Sequence, residues 1–406
     1  MTAISRRWLI AGLCATLAAA PVAAQVISDA GDGGVPAFYR WDGAPPARPG
    51  ELLRAEALTA RQSLPQAGKN IRLLYSSTDG VGGQARVAVS GALYLPHGTP
   101  PAGGWPLLAW AHGTVGIADV CAPSFAGRGD RDTRYLDYWL DQGYAIVATD
   151  YQGLGTPGAH PYVHVRSEAY SILDSIRAVQ KHYPVSARTV LIGQSQGGGA
   201  VVATATFAKD YAPELDIAGA VGTGVNLSAR DYAAPMNNTK RVAYFLVYLN
   251  AIQLVDPAIK PEEYVSDKAL PAFELTRTAC FPQVEQRARF DHLDKDNSFR
   301  QDLSAITRKL AGFKHPPTLH TDIPIFWGTG GKDTDVFPEA QQSGVTTACA
   351  AGSRVEWHVY PAFDHSATVN GSLPDSTAFI KRAFAGEKIE GNCATPPTLP
   401  APGPAS

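Results

Sequence analysis

Two kinds of apolar pattern alternate along the chain. The first is a short continuous run: residues 106–111 (PLLAWA), 144–149 (YAIVAT), 189–192, 217–221, 323–327 and 355–360. Runs of this length between turn residues predict parallel strands buried on both faces. Residues 71–77 and 85–95 alternate apolar with polar instead, which predicts paired strands at the edge of a sheet. The second pattern is helical. Val165, Ala169, Ile172, Leu173, Ile176, Val179 and Tyr183 form one apolar stripe, with Asp174 and Arg177 placed three apart to pair. Residues 196–209 and much of 336–349 also read as helix, and 378–384 opens the last one. Strands alternating with helices predict an α/β fold, a mostly parallel sheet flanked by helices on both faces.

The rhythm breaks once. Residues 226–321 separate two sheet strands and carry aromatic and charged helical segments. A loop of that length does not stay structureless in a compact domain, so it is expected to be an inserted, mainly helical cap. The catalytic domain is then 71–225 together with 322–393. Residues 25–70 read as an N-terminal arm, irregular to about residue 50, and 394–406 as a Pro-rich, disordered tail. Residues 1–24 read as a secretion signal. Arg6-Arg7 precede an apolar Ala-rich run and small residues suited to cleavage, and the paired arginines fit twin-arginine as well as general export.

Composition narrows the partners. The 406 residues are 45% hydrophobic and 18% charged, with a net charge of −2. That supports a large core and, without a basic stripe, argues against nucleic acid. No later run is long enough to span a membrane. A secreted or periplasmic, monomeric protein is expected. Of five cysteines, Cys14 lies in the signal. Cys121, Cys280, Cys349 and Cys393 remain, enough for two disulfides in any of three connectivities. C-x-x-C and H-E-x-x-H spacings are absent, so no metal or other cofactor is expected.

The chemistry centres on Gly193-Gln194-Ser195-Gln196-Gly197, between a predicted strand and a predicted helix. A G-x-S-x-G turn of this kind exposes the serine Oγ at the carboxyl edge of the sheet. The nucleophile needs a base, and the base an orienting acid, in the chain order serine, acid, histidine. His365 follows the strand 355–360 in a loop and is the expected base. His358 lies within that strand, and His315 and His320 precede the acid. Asp333, after the strand 323–327, is the expected acid, with Asp335 as the fallback. Oxyanion donors are expected from the backbone amides of Gln196 and of Thr114, in the turn His112-Gly113-Thr114. His112 reads as a structural histidine of that turn. His160 and His164 read as loop histidines, and the glycines of 153–158 as a rigid loop lining the site.

Four ordered blocks resemble the secretory lipase family of yeasts and bacteria. They are AHGTVGIADVCAPS (111–124), DYQGLGTPGAHPYV (150–163) followed by SILDSIRA, GQSQGGG, and GKDTDVFP with a late histidine. The resemblance covers roughly residues 70–385. It implies an α/β-hydrolase fold, a helical lid, and hydrolysis of carboxylic esters including triacylglycerols. Carried onto this chain, the implied triad is Ser195, Asp333 and His365, and the implied disulfides are Cys121–Cys280 and Cys349–Cys393. An ester or lipid substrate is the expected partner, with transient lipid-interface contact through the cap. A short-chain esterase, an acyltransferase or peptidase with the same triad, and a non-catalytic binding protein are the competing expectations.

Overall fold

The computed structural model describes residues 34–44, 46–229 and 236–400. The proposed signal, residues 1–24, lies outside them. Among the described residues, nine strands form one sheet in the order β1-β2-β3-β5-β4-β6-β7-β8-β9. They are β1 (Leu52–Ala57), β2 (Lys69–Thr78), β3 (Arg86–Leu95), β4 (Trp105–Ala111), β5 (Ala145–Thr149), β6 (Val185–Gln194), β7 (Asp216–Thr223), β8 (Ile325–Gly330) and β9 (Val355–Tyr360). The pairs β1/β2, β2/β3 and β3/β5 are antiparallel. Every pair from β5/β4 onward is parallel.

The apolar runs become central strands because alternate residues fill two different cores. Leu107, Ala109 and Ala111 join helices Val165–Gln180 and Gln196–Tyr211 on one face. Leu108 and Trp110 join helices Asp130–Asp141 and Leu373–Ala385 on the other. Burying one such large side chain contributes about 2 kcal/mol, so a one-residue slip of β4 would exchange the two sets at high cost. The anticipated pair on the helix Val165–Gln180 is present, with Arg177 donating to Asp174 at 2.8 Å.

Several expectations are corrected. β1, in the part of the arm beyond its irregular stretch, takes the sheet edge that 71–77 and 85–95 were expected to hold. Its sequence, LLRAEA, lacks alternation and stays half-exposed to exposed. Pairing to β2 specifies this strand, not burial. The last helix begins at Leu373, with a proline in its first turn where Pro is compatible with helix. The tail is not free over 394–400. Leu399 packs against the cluster of Trp327 and Val355, next to the Cys349–Cys393 disulfide.

Between β7 and β8 lie the helices Thr239–Val255, Pro261–Tyr264, Leu270–Leu275, Phe281–Phe290 and Ser304–Lys314. They share their own apolar cluster, in which Phe273, Leu246 and Val284 are buried. Tyr162 and Val163 of the sheet domain also enter it. The second disulfide, Cys121–Cys280, joins this layer to the loop after β4.

Candidate active site

Strands β4, β6, β7, β8 and β9 end on one edge of the sheet, and their following loops build the site. Ser195 sits between β6 and the helix Gln196–Tyr211 with φ 59° and ψ −118°. A non-glycine residue in that region is strained, and such strain is characteristic of a serine held on a strand-to-helix turn. Close approach explains the flanking glycine: a Cβ on Gly197 would collide with the carbonyl of Ala111. The Ser195 amide donates to Thr223 O at 2.9 Å. Its Oγ makes no hydrogen bond among the described residues and faces a cavity of about 520 Å³.

His365 and Asp333 meet beside this turn. His365 Nδ1 lies 2.7 Å from Asp333 Oδ2, and both residues are buried. Gly224, next to Thr223, makes room for the pair. A Cβ there would stand 2.7 Å from His365 Cε1, and its φ is +52°. Only glycine meets both conditions without strain. Thus the loop after β7 touches the Ser195 backbone and the His365 ring together.

Asp333 is held on every side. Its Oδ1 accepts from the amides of Asp335 at 2.9 Å and Val336 at 2.8 Å. Its Oδ2 also accepts from Gln341 Nε2 at 3.1 Å. Gln341 Oε1 accepts from Thr329 Oγ1 at 3.0 Å, and Thr329 in turn accepts from Trp357 Nε1 at 2.9 Å. A fully partnered buried carboxylate of this kind stays in one orientation. The fallback acid, Asp335, points elsewhere and pairs with Lys240 Nζ at 2.6 Å, tying the cap to the acid loop.

Gln196 opens its helix, and the first amides of a helix have no intrahelical acceptor. Thr114 lines the same cavity as Ser195, and its amide makes no hydrogen bond among the described residues. Its Oγ1 shares a 2.6 Å hydrogen bond with Tyr162 OH. The remaining cavity wall comes mostly from the cap, including Tyr244, Phe245, Tyr248, Leu310 and Ala311.

The other histidines are placed apart from the pair. His112 is buried against Gly113 O, with its ring tilted against Tyr151 at 4.4 Å. Burial lowers its pKa. His160 bonds Gln152 O at 2.8 Å, and His164 caps the helix Val165–Gln180 by accepting from the Ser167 amide. Burial pushes both down to about 4. His358 stacks on Phe326 and pairs with Glu356, and His320 bonds Ala351 O. His315 lies on the cavity wall, although its position before β8 pointed away from the site. The glycine loop 153–158 does not line the cavity; its Gly155 abuts Ala122 and Tyr39 instead. Tyr162, farther along, lines the cavity in its place. Sequence reasoning missed Gln341, Gly224, Lys240 and Glu168. None carries a motif, and each acts through a contact formed across the fold.

A family model described as secretory lipase matches residues 130–392. Lipase A of Moesziomyces aphidis is 27% identical over 303 residues, which cover 68% of this chain and 64% of that relative. The match therefore spans less than two thirds of its length. A secreted triacylglycerol lipase of Malassezia globosa is 26% identical over 385 residues, covering 88% of this chain and 82% of the relative. The crystal structure of Candida antarctica lipase A in its closed state has the same fold. It matches with a TM-score of 0.72 at 22% identity, over 89% of each chain.

Proposed function

The chain belongs to the secretory lipase family, a family of ester hydrolases, and from there we propose that catalysis runs through an acyl-enzyme on Ser195. His365 takes the Ser195 proton, and the oxygen attacks the ester carbonyl. The amides of Gln196 and Thr114 hold the oxyanion. His365 then protonates the leaving alcohol, and water, activated by the same histidine, releases the acid. Asp333 fixes the His365 tautomer and stabilises its charged form. These groups suffice for acyl transfer, so no metal or cofactor enters the scheme.

The observation that carries this reading is the buried 2.7 Å His365–Asp333 bond beside a strained serine. The Ser195→Ala variant should lose turnover of a p-nitrophenyl ester while keeping its melting profile. Retained turnover would sink the assignment.

Triacylglycerols are the proposed substrate class, on the strength of the family and of a cavity walled by Tyr244, Phe245 and Leu310. The cap (226–321) is the part proposed to touch lipid, with the protein acting as a monomer. Among the described residues the exposed large hydrophobics are Val255 and Phe290, both at the ends of cap helices. A Phe290→Glu variant should lose activity on emulsions more than on soluble esters. A chain-length series on the native protein separates lipase from short-chain esterase, and alcohol acceptors test acyl transfer. The export route proposed for residues 1–24 uses Arg6-Arg7, and replacing both with lysine should retain the protein inside the cell.

A further inference from the structure

One buried acid beneath the serine turn is not used by this scheme. Glu168, in the first turn of the helix Val165–Gln180, is 2% exposed. Its Oε1 accepts from Gln196 Nε2 at 2.8 Å. Gln196 is also 2% exposed, and its backbone amide is one of the two oxyanion donors above. A bond that pins its carboxamide also restricts that amide, because few torsions separate them.

The Val163 backbone amide lies against the same carboxyl and favours its ionised form. Val163 has φ 55°, an outlier for a β-branched residue, so something must hold it there. Its neighbour Tyr162 bonds Thr114, the residue of the second donor. Glu168 therefore touches Gln196 directly and reaches Thr114 through Val163 and Tyr162.

We propose that Glu168 is a positioning residue of the oxyanion site, effective while its carboxyl is neutral and disruptive once it ionises. The proposal rests on the Ser195 reading above.

Burial, opposed by the Gln196 bond and the nearby Val163 amide, pushes the carboxyl up to about 8. Few titratable groups face it. Tyr151 and Tyr162 are buried phenols raised well above their ordinary value, so they stay neutral. Lys314, from the cap, favours the ionised form. His164, which caps the same helix, is neutral above a pH of about 4. An ionised Glu168 would place negative charge beneath a developing oxyanion, in a site where little water screens it.

The test is the pH dependence of kcat and KM on a soluble p-nitrophenyl ester, for the native protein, Glu168→Gln and Glu168→Leu. Native kcat should fall above a pH of about 8. Glu168→Gln keeps an acceptor for Gln196; it should lose kcat by roughly threefold at neutral pH, and the alkaline fall should disappear. Glu168→Leu should lose kcat by about 10-fold or more at every pH, with KM nearly constant. A flat native profile, an unchanged alkaline fall in Glu168→Gln, or native kcat in a folded Glu168→Leu would each overturn the proposal. If Glu168→Leu does not fold, the Glu168→Gln profile decides alone. Fluorophosphonate labelling of the native protein separates the two levels. With Ser195 labelled, an unchanged Glu168→Gln profile removes only the positioning role; without labelling at Ser195, the reading beneath it fails first.

Discussion

The carboxyl edge of the sheet and the cap above it are built by opposite means. At the edge, neighbours approach so closely that Gly197, against the Ala111 backbone, and Gly224, against the His365 ring, have no room for a side chain. Asp333 is saturated with donors from two backbone amides, Gln341 and His365. The cap is a set of helices, some only a turn or two long, packed on one apolar cluster. Its surface carries exposed ion pairs such as Arg300–Asp267 and Arg277–Glu262, a kind that stabilises little. Its ties to the edge are specific: the Cys121–Cys280 bridge, the Lys240–Asp335 pair, and the Phe281 amide on Val115 O at 2.8 Å. On the proposed reading, the overdetermined edge carries the chemistry, and access and substrate choice fall to the cap.

Variants at the edge should therefore cost far more than variants in the cap. His365→Ala or Asp333→Asn should lower kcat on a soluble ester by roughly 10³-fold or more with the fold intact. Gln341→Leu should cost less, about 10- to 100-fold, because Asp333 keeps its two amides but loses one restraint. Equal losses from Gln341→Leu and from cap variants would erase the distinction. Lys240→Met should change KM for long-chain esters while kcat on short ones holds, since it loosens the cap from a loop whose Asp333 carboxylate, the proposed orienting acid, is held independently.

A pH effect on stability should come from the buried histidines His160 and His164. His160 and His164 are lowered to about 4 in the folded protein by burial, against about 6.5 unfolded. The unfolded chain thus binds more protons between these values, and stability should fall as pH drops through that window. Thermal melts should show this, and His164→Gln should flatten the decline. The smallest effect belongs to the cap surface: Arg300→Ala should change stability by no more than about 1 kcal/mol.

The central strands were legible because burial on both faces leaves an uninterrupted apolar run, as in Pro106–Ala111. The serine turn was legible because its geometry demands glycines at fixed spacing around Ser195. β1 was not, because an edge strand with one partner needs no hydrophobic alternation. The short cap helices carry too few turns for a clear period, so only their total length betrayed them. Gln341 and Glu168 are ordinary helix residues until the fold brings them to Asp333 and Gln196. Long-range hydrogen bonds of that kind leave no local pattern.

Ser195 is the proposed nucleophile, activated by His365. Reaction with a fluorophosphonate, followed by peptide mass mapping, tests it directly. A single phosphonyl adduct on Ser195 is expected, formed much more slowly in His365→Ala. An adduct on another residue, or an active protein that remains unlabelled, would rule out Ser195 as the nucleophile.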